Sequence, residues 1–112
     1  MENKEFWTRE RCFIKELLNH SNAPNVSLAV ARVAPGVTTQ LHALAGINET
    51  YIVRKGKGIV EVDGSKIPVS TNDTVFIGKD IPQRISNVGS EDLEFYCLCM
   101  PRFQQNCYIN LE

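Results

Sequence analysis

The chain has 112 residues, 43% of them apolar, 22% charged and 8% aromatic, with a formal net charge of −1; this suits a single globular domain, 1–112, and excludes a two-domain enzyme. Twelve Lys and Arg balance thirteen Asp and Glu with no run of either sign, so there is no basic footprint for nucleic acid or anionic lipid. No apolar stretch approaches the ~20 residues of a membrane span, and Met1-Glu2-Asn3-Lys4-Glu5 lacks the basic-then-apolar order of a secretory signal. The expectation is a cytoplasmic protein with neither nucleic-acid nor membrane partners.

Along the chain, the first 20 residues read as a short helical or irregular segment. Phe13-Ile14-Lys15-Glu16-Leu17-Leu18 is too short for its periodicity to separate a helical turn from an edge strand. From residue 26 the pattern becomes β. Residues 26–33 are small or β-branched and end at the turn dipeptide Pro35-Gly36. Further β-prone segments follow at 38–44, 49–54, 59–62, 66–69, 74–77, 84–86 and 93–100, separated by Gly46, Gly56-Lys57-Gly58, Asp63-Gly64, Asn72-Asp73, Gly78 and Asn87-Val88-Gly89. Asp63-Gly64 between Val60-Glu61-Val62 and Ser65-Lys66-Ile67 marks a tight hairpin, because the primed turns need positive φ and Gly supplies it without strain. Short strands at this spacing predict a sandwich or barrel. The four cysteines, Cys12, Cys97, Cys99 and Cys107, contain no Cys-x-x-Cys pair. Cys97 and Cys99 share a strand face, as small core residues or as a two-thiolate soft-metal site.

One stretch is more specific. Gly36-Val37-Thr38-Thr39-Gln40-Leu41-His42-Ala43-Leu44-Ala45-Gly46-Ile47-Asn48-Glu49-Thr50-Tyr51-Ile52-Val53-Arg54-Lys55-Gly56 resembles the first motif of the cupin superfamily, with its glycine, first histidine, glutamate and closing glycine in register. Ile77-Gly78-Lys79-Asp80-Ile81-Pro82-Gln83-Arg84-Ile85-Ser86-Asn87 resembles the second, with Gln83 where a histidine usually stands. The tail from Cys99 to Tyr108 is similar to that of small single-domain cupins carrying His-x-Leu, Glu and Gln at these positions. The resemblance spans about 28–101 and implies an all-β double-stranded β-helix, the jelly-roll barrel of the cupins, with the site in its open mouth. It also implies that two histidines, the glutamate and a third histidine gather one divalent metal. Here His42 and Glu49 match, whereas Leu44 and Gln83 replace two of those donors, and an isobutyl group cannot ligate.

His42, Glu49 and Gln83 would offer one nitrogen and two oxygens, a weaker set than those that hold catalytic zinc, so the cofactor is expected to be none or one divalent transition metal such as Mn, Fe, Ni or Zn. Without metal, burial raises the pKa of Glu49 and lowers that of His42, while contact between the two would oppose this; either way they form a catalytic acid–base or anchoring pair. Tyr51 alternates onto the face of Glu49, to orient a substrate oxygen or deliver a proton. Gln40, two residues before His42, shares its face, and with Gln83 is a candidate ligand-binding residue. His20, among Asn19, Ser21 and Asn22, reads as solvated, and Phe103 and Tyr108 should fold back over a barrel end.

Three functions follow as expectations. The first is a small-molecule-binding protein acting as an isomerase, epimerase, cyclase or lyase in the barrel mouth. The second is a metal-dependent oxygenase or sugar isomerase. The third is a non-catalytic ligand-sensing module whose mouth is filled by side chains. Because a jelly roll leaves sheet edges to cover, a homodimer is expected.

Overall fold

The computed structural model describes residues 4–112, so most of the N-terminal stretch read for a secretory signal, residues 1–3, lies outside the described residues. Among the described residues eleven strands run in chain order: β1 (Phe6–Trp7), β2 (Phe13–Leu18), β3 (Ser27–Val33), β4 (His42–Leu44), β5 (Asn48–Lys55), β6 (Lys57–Val62), β7 (Ser65–Ser70), β8 (Thr74–Ile77), β9 (Gln83–Asn87), β10 (Leu93–Met100) and β11 (Tyr108–Asn110), the last preceded by a 3-10 turn at Gln105–Cys107. They form two antiparallel sheets, β1-β2-β3-β10-β5-β8 and β11-β4-β9-β6-β7, the jelly roll expected from sequence. No helix of the described residues is long and apolar enough to cross a membrane.

Burial follows the period of two that strands impose. Glu49, Tyr51 and Val53 are buried along β5, Val60 along β6, Gln83, Ile85 and Asn87 along β9, and Leu93, Phe95 and Cys99 along β10. The main core joins Val33, Val53, Val60, Ile77, Ile85, Leu93 and Phe95 from both sheets. A smaller cluster of Leu44, Ile47 and Cys99, covered by Phe103 and Tyr108, closes the end beside β4.

The Asp63-Gly64 hairpin is as read from sequence. Both residues have positive φ, 50° and 84°, and Val62 pairs with Ser65 across the turn. Two segments differ from the sequence reading. The N-terminal part is neither helical nor irregular throughout: β1 and β2 form a hairpin that extends the first sheet along β3. Its residues alternate too briefly to declare themselves, and pairing with β3 decides. Residues 38–44 give only the three-residue β4, with Thr38 held by one bridge to Ser86.

The β1–β2 connection, residues 8–12, is held firmly. Thr8 N donates to Cys12 O at 2.9 Å, Arg11 N to Thr8 O at 3.2 Å, and Gln40 N to Glu10 O at 3.0 Å. Arg11 donates to Thr38 O at 2.9 Å and grips the Glu112 carboxylate through both terminal nitrogens, at 3.1 and 2.8 Å. The Glu112 carboxylate in turn accepts from Leu41 N at 2.7 Å, so hairpin loop, C-terminal tail and the approach to β4 form one rim.

Candidate functional site

His42 opens β4 and lies directly opposite Gln83 of β9, both in the second sheet. Glu49 and Tyr51 project inward from β5 in the first sheet, opposite Cys99 and Cys97 of β10. The two sheets thus bring the sequence candidates into one region, around a cavity of about 930 Å3 whose wall includes His42, Glu49, Tyr51 and Gln40.

The orientation of His42 is set by its backbone surroundings. Its Nδ1 lies 2.8 Å from the Gln40 carbonyl oxygen, which can only accept, so Nδ1 carries the proton. The neutral ring then presents the Nε2 lone pair. Burial pushes the ring pKa down, partly opposed by the Gln40 carbonyl, and Tyr108 stacks on the ring with centroids 4.7 Å apart and planes within 14°. Tyr108 is itself held by donating to Gln40 Oε1 at 2.7 Å. Gln40 therefore fixes both rings, one through its carbonyl and one through its amide.

Glu49 is buried, and desolvation pushes its carboxyl up to about 7, with the nearby Gln83 amide and the Cys99 and Cys97 thiols pulling it partly back. The Cys99 thiol lies 3.5 Å from Oε2, while Oε1 has no hydrogen-bond partner. Such an orphaned buried oxygen is uncommon and costs free energy unless something occupies the cavity beside it.

Three candidates stand in surroundings that the sequence did not show. The carboxylate within ion-pair distance of His42 is not Glu49 but Glu10, whose Oε2 lies 3.8 Å from Nε2. Glu10 comes from the β1–β2 loop and lines the same cavity; burial and the charge of Glu49 push its carboxyl up to about 7. Nothing in Thr8-Arg9-Glu10-Arg11 sets it apart from a solvated loop, and the signal that could have found it is long-range: the Gln40 N–H bond to Glu10 O that turns the loop inward. Second, Gln83 is absent from the cavity wall. It is 1% exposed, and its Oε1 accepts the Tyr51 hydroxyl across the two sheets. Third, Tyr51 lines the cavity with its ring, but its hydroxyl proton is committed to Gln83, and burial holds that hydroxyl well above its ordinary pKa. Gln83 and Tyr51 act as a brace between the sheets.

The residues do not fit a metal. Among the described residues no three His, Cys, Asp or Glu side chains converge on a point where an ion could sit. Gln83 is turned into its bond with Tyr51, and Leu44, at the motif's second histidine position, packs with Ile47 and Cys99. The four cysteines are unpaired. Burial pushes the Cys97 and Cys99 thiols up, away from the thiolate a soft metal needs. His20 is exposed, its Nδ1 accepting from Asn22 N at 2.9 Å.

Residues 29–99 match the family model described as the Cupin domain. The chain belongs to the cupin family. It is 32% identical over 102 residues to the uncharacterized protein MJ1618 of Methanocaldococcus jannaschii, covering 89% of this chain and 82% of that one. Among solved structures, the cupin fold here resembles Pac13, a nucleoside dehydratase of Streptomyces, with a TM-score of 0.84 at 14% identity over 99% of this chain and 86% of the other. KdgF from Halomonas sp. is similar with a TM-score of 0.81 at 16% identity, covering 92% and 90%. The capsular polysaccharide assembling protein CapF of Staphylococcus aureus gives 0.84 at 21% identity, and there the match covers 99% of this chain but 34% of the other.

Proposed function

We propose that this cupin is a small-molecule enzyme of the lyase or isomerase type, transferring protons without redox chemistry in the cavity between its sheets. The observation that carries the reading is the fixed tautomer of His42: with Nδ1–H donating to Gln40 O, a neutral imidazole offers its Nε2 lone pair as a general base. Glu49 supplies the complementary acid. A carboxyl with a pKa near 7 keeps its proton on a large fraction of molecules at neutral pH, and Glu49 stands in the cavity wall with no partner on Oε1.

The step common to both reaction types is enolisation. Nε2 takes the proton from a carbon next to a carbonyl, the C–H electron pair becomes the enol double bond, and Glu49 protonates the carbonyl oxygen. Gln40 and Tyr108 hold His42 in place, and the Tyr51–Gln83 brace positions Glu49. A cavity of about 930 Å3 is ample for a sugar or nucleoside and does not suit a sensing module with a filled mouth. The likeness in fold to a nucleoside dehydratase supports lyase chemistry on this scaffold.

The test is solvent exchange. Dihydroxyacetone and deoxyribose are incubated with the protein in deuterium oxide, and deuterium at the carbon beside the carbonyl is followed by NMR. Wild-type protein is expected to incorporate it, and His42→Ala to lose at least about a hundredfold in rate while keeping its unfolding temperature. Exchange by His42→Ala at the wild-type rate, or none by wild type on either compound, refutes the reading.

A further inference from the structure

Glu10 has the features of a side chain retained for chemistry. It stands between Arg9 and Arg11, yet Arg11 is paired with Glu112 and no Lys or Arg among the described residues lies within ion-pair distance of the Glu10 carboxylate. Its backbone is fixed at both groups, the N–H donating to Thr8 Oγ1 at 3.3 Å and the carbonyl accepting from Gln40 N at 3.0 Å. The carboxylate, by contrast, receives no hydrogen bond from any described residue and faces His42 Nε2 at 3.8 Å across the cavity. That gap is too wide for a direct hydrogen bond but admits one oxygen at about 2.8 Å from both atoms. Two proton-handling groups without hydrogen-bond partners, His42 Nε2 and the Glu10 carboxyl, therefore line one cavity, and Glu49 stands in the same wall.

We infer that Glu10 is a catalytic residue, the acid that protonates a departing hydroxyl, and that the substrate is a β-hydroxy aldehyde or ketone uncharged at its reacting end. This rests on the enolising role proposed for His42 and Glu49, and it narrows the reaction to loss of water. After enolisation the C–O bond to the β-hydroxyl breaks, and the Glu10 O–H proton goes to that oxygen, which leaves as water. The enol pair becomes the new C=C, and the enol proton returns to Glu49 as the C=O re-forms. Glu10, now a carboxylate, faces the His42 imidazolium at 3.8 Å and takes its proton back, which resets both groups. Reactant and products differ by one water and no electrons. The reacting end is uncharged because it meets two carboxyl groups with no cationic side chain paired to either; Arg9 and Arg102 also line the cavity, outside ion-pair distance of both.

Titratable groups near Glu10 include His42 from β4, Glu49 and Tyr51 from β5, Cys12 beside β2, Cys97 and Cys99 from β10 and Tyr108 from β11. Burial pushes the Cys12 thiol up to about 12 and the Tyr108 hydroxyl higher still, so neither can replace Glu10 as the acid.

Glu10→Gln is isosteric and can donate a hydrogen bond but cannot yield a proton. Two compounds separate the steps: dihydroxyacetone has exchangeable protons beside its carbonyl but no β-hydroxyl, whereas open-chain deoxyribose has both. Glu10→Gln is expected to keep exchanging dihydroxyacetone protons, and to form the unsaturated aldehyde from deoxyribose, read by ultraviolet absorbance, at least about a hundredfold more slowly than wild type. Wild-type water loss in Glu10→Gln overturns the inference and leaves the role of His42 intact. Parallel loss of exchange and elimination also overturns it, because Glu10 would then act by holding His42. Absence of exchange in wild type refutes the underlying reading instead. An unfolding temperature for Glu10→Gln that is unchanged or raised excludes misfolding as the cause.

Discussion

Histidine, carboxylic acids and amides in this cavity owe their behaviour to what surrounds each atom. His42 is a base because a carbonyl fixes its tautomer, and Glu49 is an acid because burial disfavours its anion. Tyr51 shows the reverse: a group with acid–base chemistry of its own is withdrawn from it by a partner. Its hydroxyl donates to Gln83 Oε1 in a buried setting, so Tyr51→Phe leaves that oxygen unsatisfied. The expected cost is about 1–3 kcal/mol of stability, measured as a lower urea midpoint with unchanged slope. Gln83→Leu in the same background removes that stranded oxygen together with the amide beside Glu49, so any cost beyond that of Tyr51→Phe measures the Gln83–Glu49 contact.

Strands set the site by alternation and register. A shift of one residue in β5 would turn Glu49 and Tyr51 to the outside and bring Asn48 and Thr50 in, so the pairing of β5 with β10 and β8 is a condition of function as well as stability. Glycine matters where strands close tightly. Gly58 on β6 has no room for a methyl group: a Cβ there would stand 2.8 Å from Leu93 Cδ2 and 2.9 Å from the Ser86 carbonyl oxygen. The carbonyl belongs to β9 and cannot move without disturbing the ladder that carries Gln83 at its other end. Gly58→Ala should therefore destabilise the protein by about 1–3 kcal/mol in chemical denaturation, the usual range for overpacking.

For the molecule as a whole, two buried carboxyls near pKa 7 make stability depend on pH with an unusual sign. A carboxyl raised from an ordinary 4.5 to about 7, as for Glu49 and Glu10, keeps its proton in the folded state over a range where the unfolded chain has released it. Its contribution is fully present below pH 4.5 and lost as pH rises through 7. For Glu49 alone that is about 3 kcal/mol. His42, lowered by burial, works the other way: the unfolded chain binds its proton more readily, so its contribution falls as pH drops below the ordinary histidine value near 6.5. Urea midpoints between pH 5 and 8 should decline with pH in the wild type and decline less in Glu49→Gln, which has no proton to lose at that position. A profile that is flat in the wild type would place Glu49 in a solvated setting.

The amino-acid sequence by itself determined the double-sheet fold, most strand positions, the Asp63-Gly64 hairpin and the inward residues His42, Glu49 and Tyr51, because alternation, turn chemistry and motif spacing are local properties that a linear chain records directly. It also showed that a customary donor was missing at Leu44. Only the tertiary structure decided which carboxylate faces His42, since Glu10 reaches it through a loop turned inward by Gln40 and anchored by Glu112, contacts that span 30 to 101 residues of chain. It also decided that the Gln83 amide oxygen is taken by Tyr51. Sequence proximity cannot encode such pairings: they arise when two sheets close over one another, and the partner each polar atom finds there sets its protonation and its use.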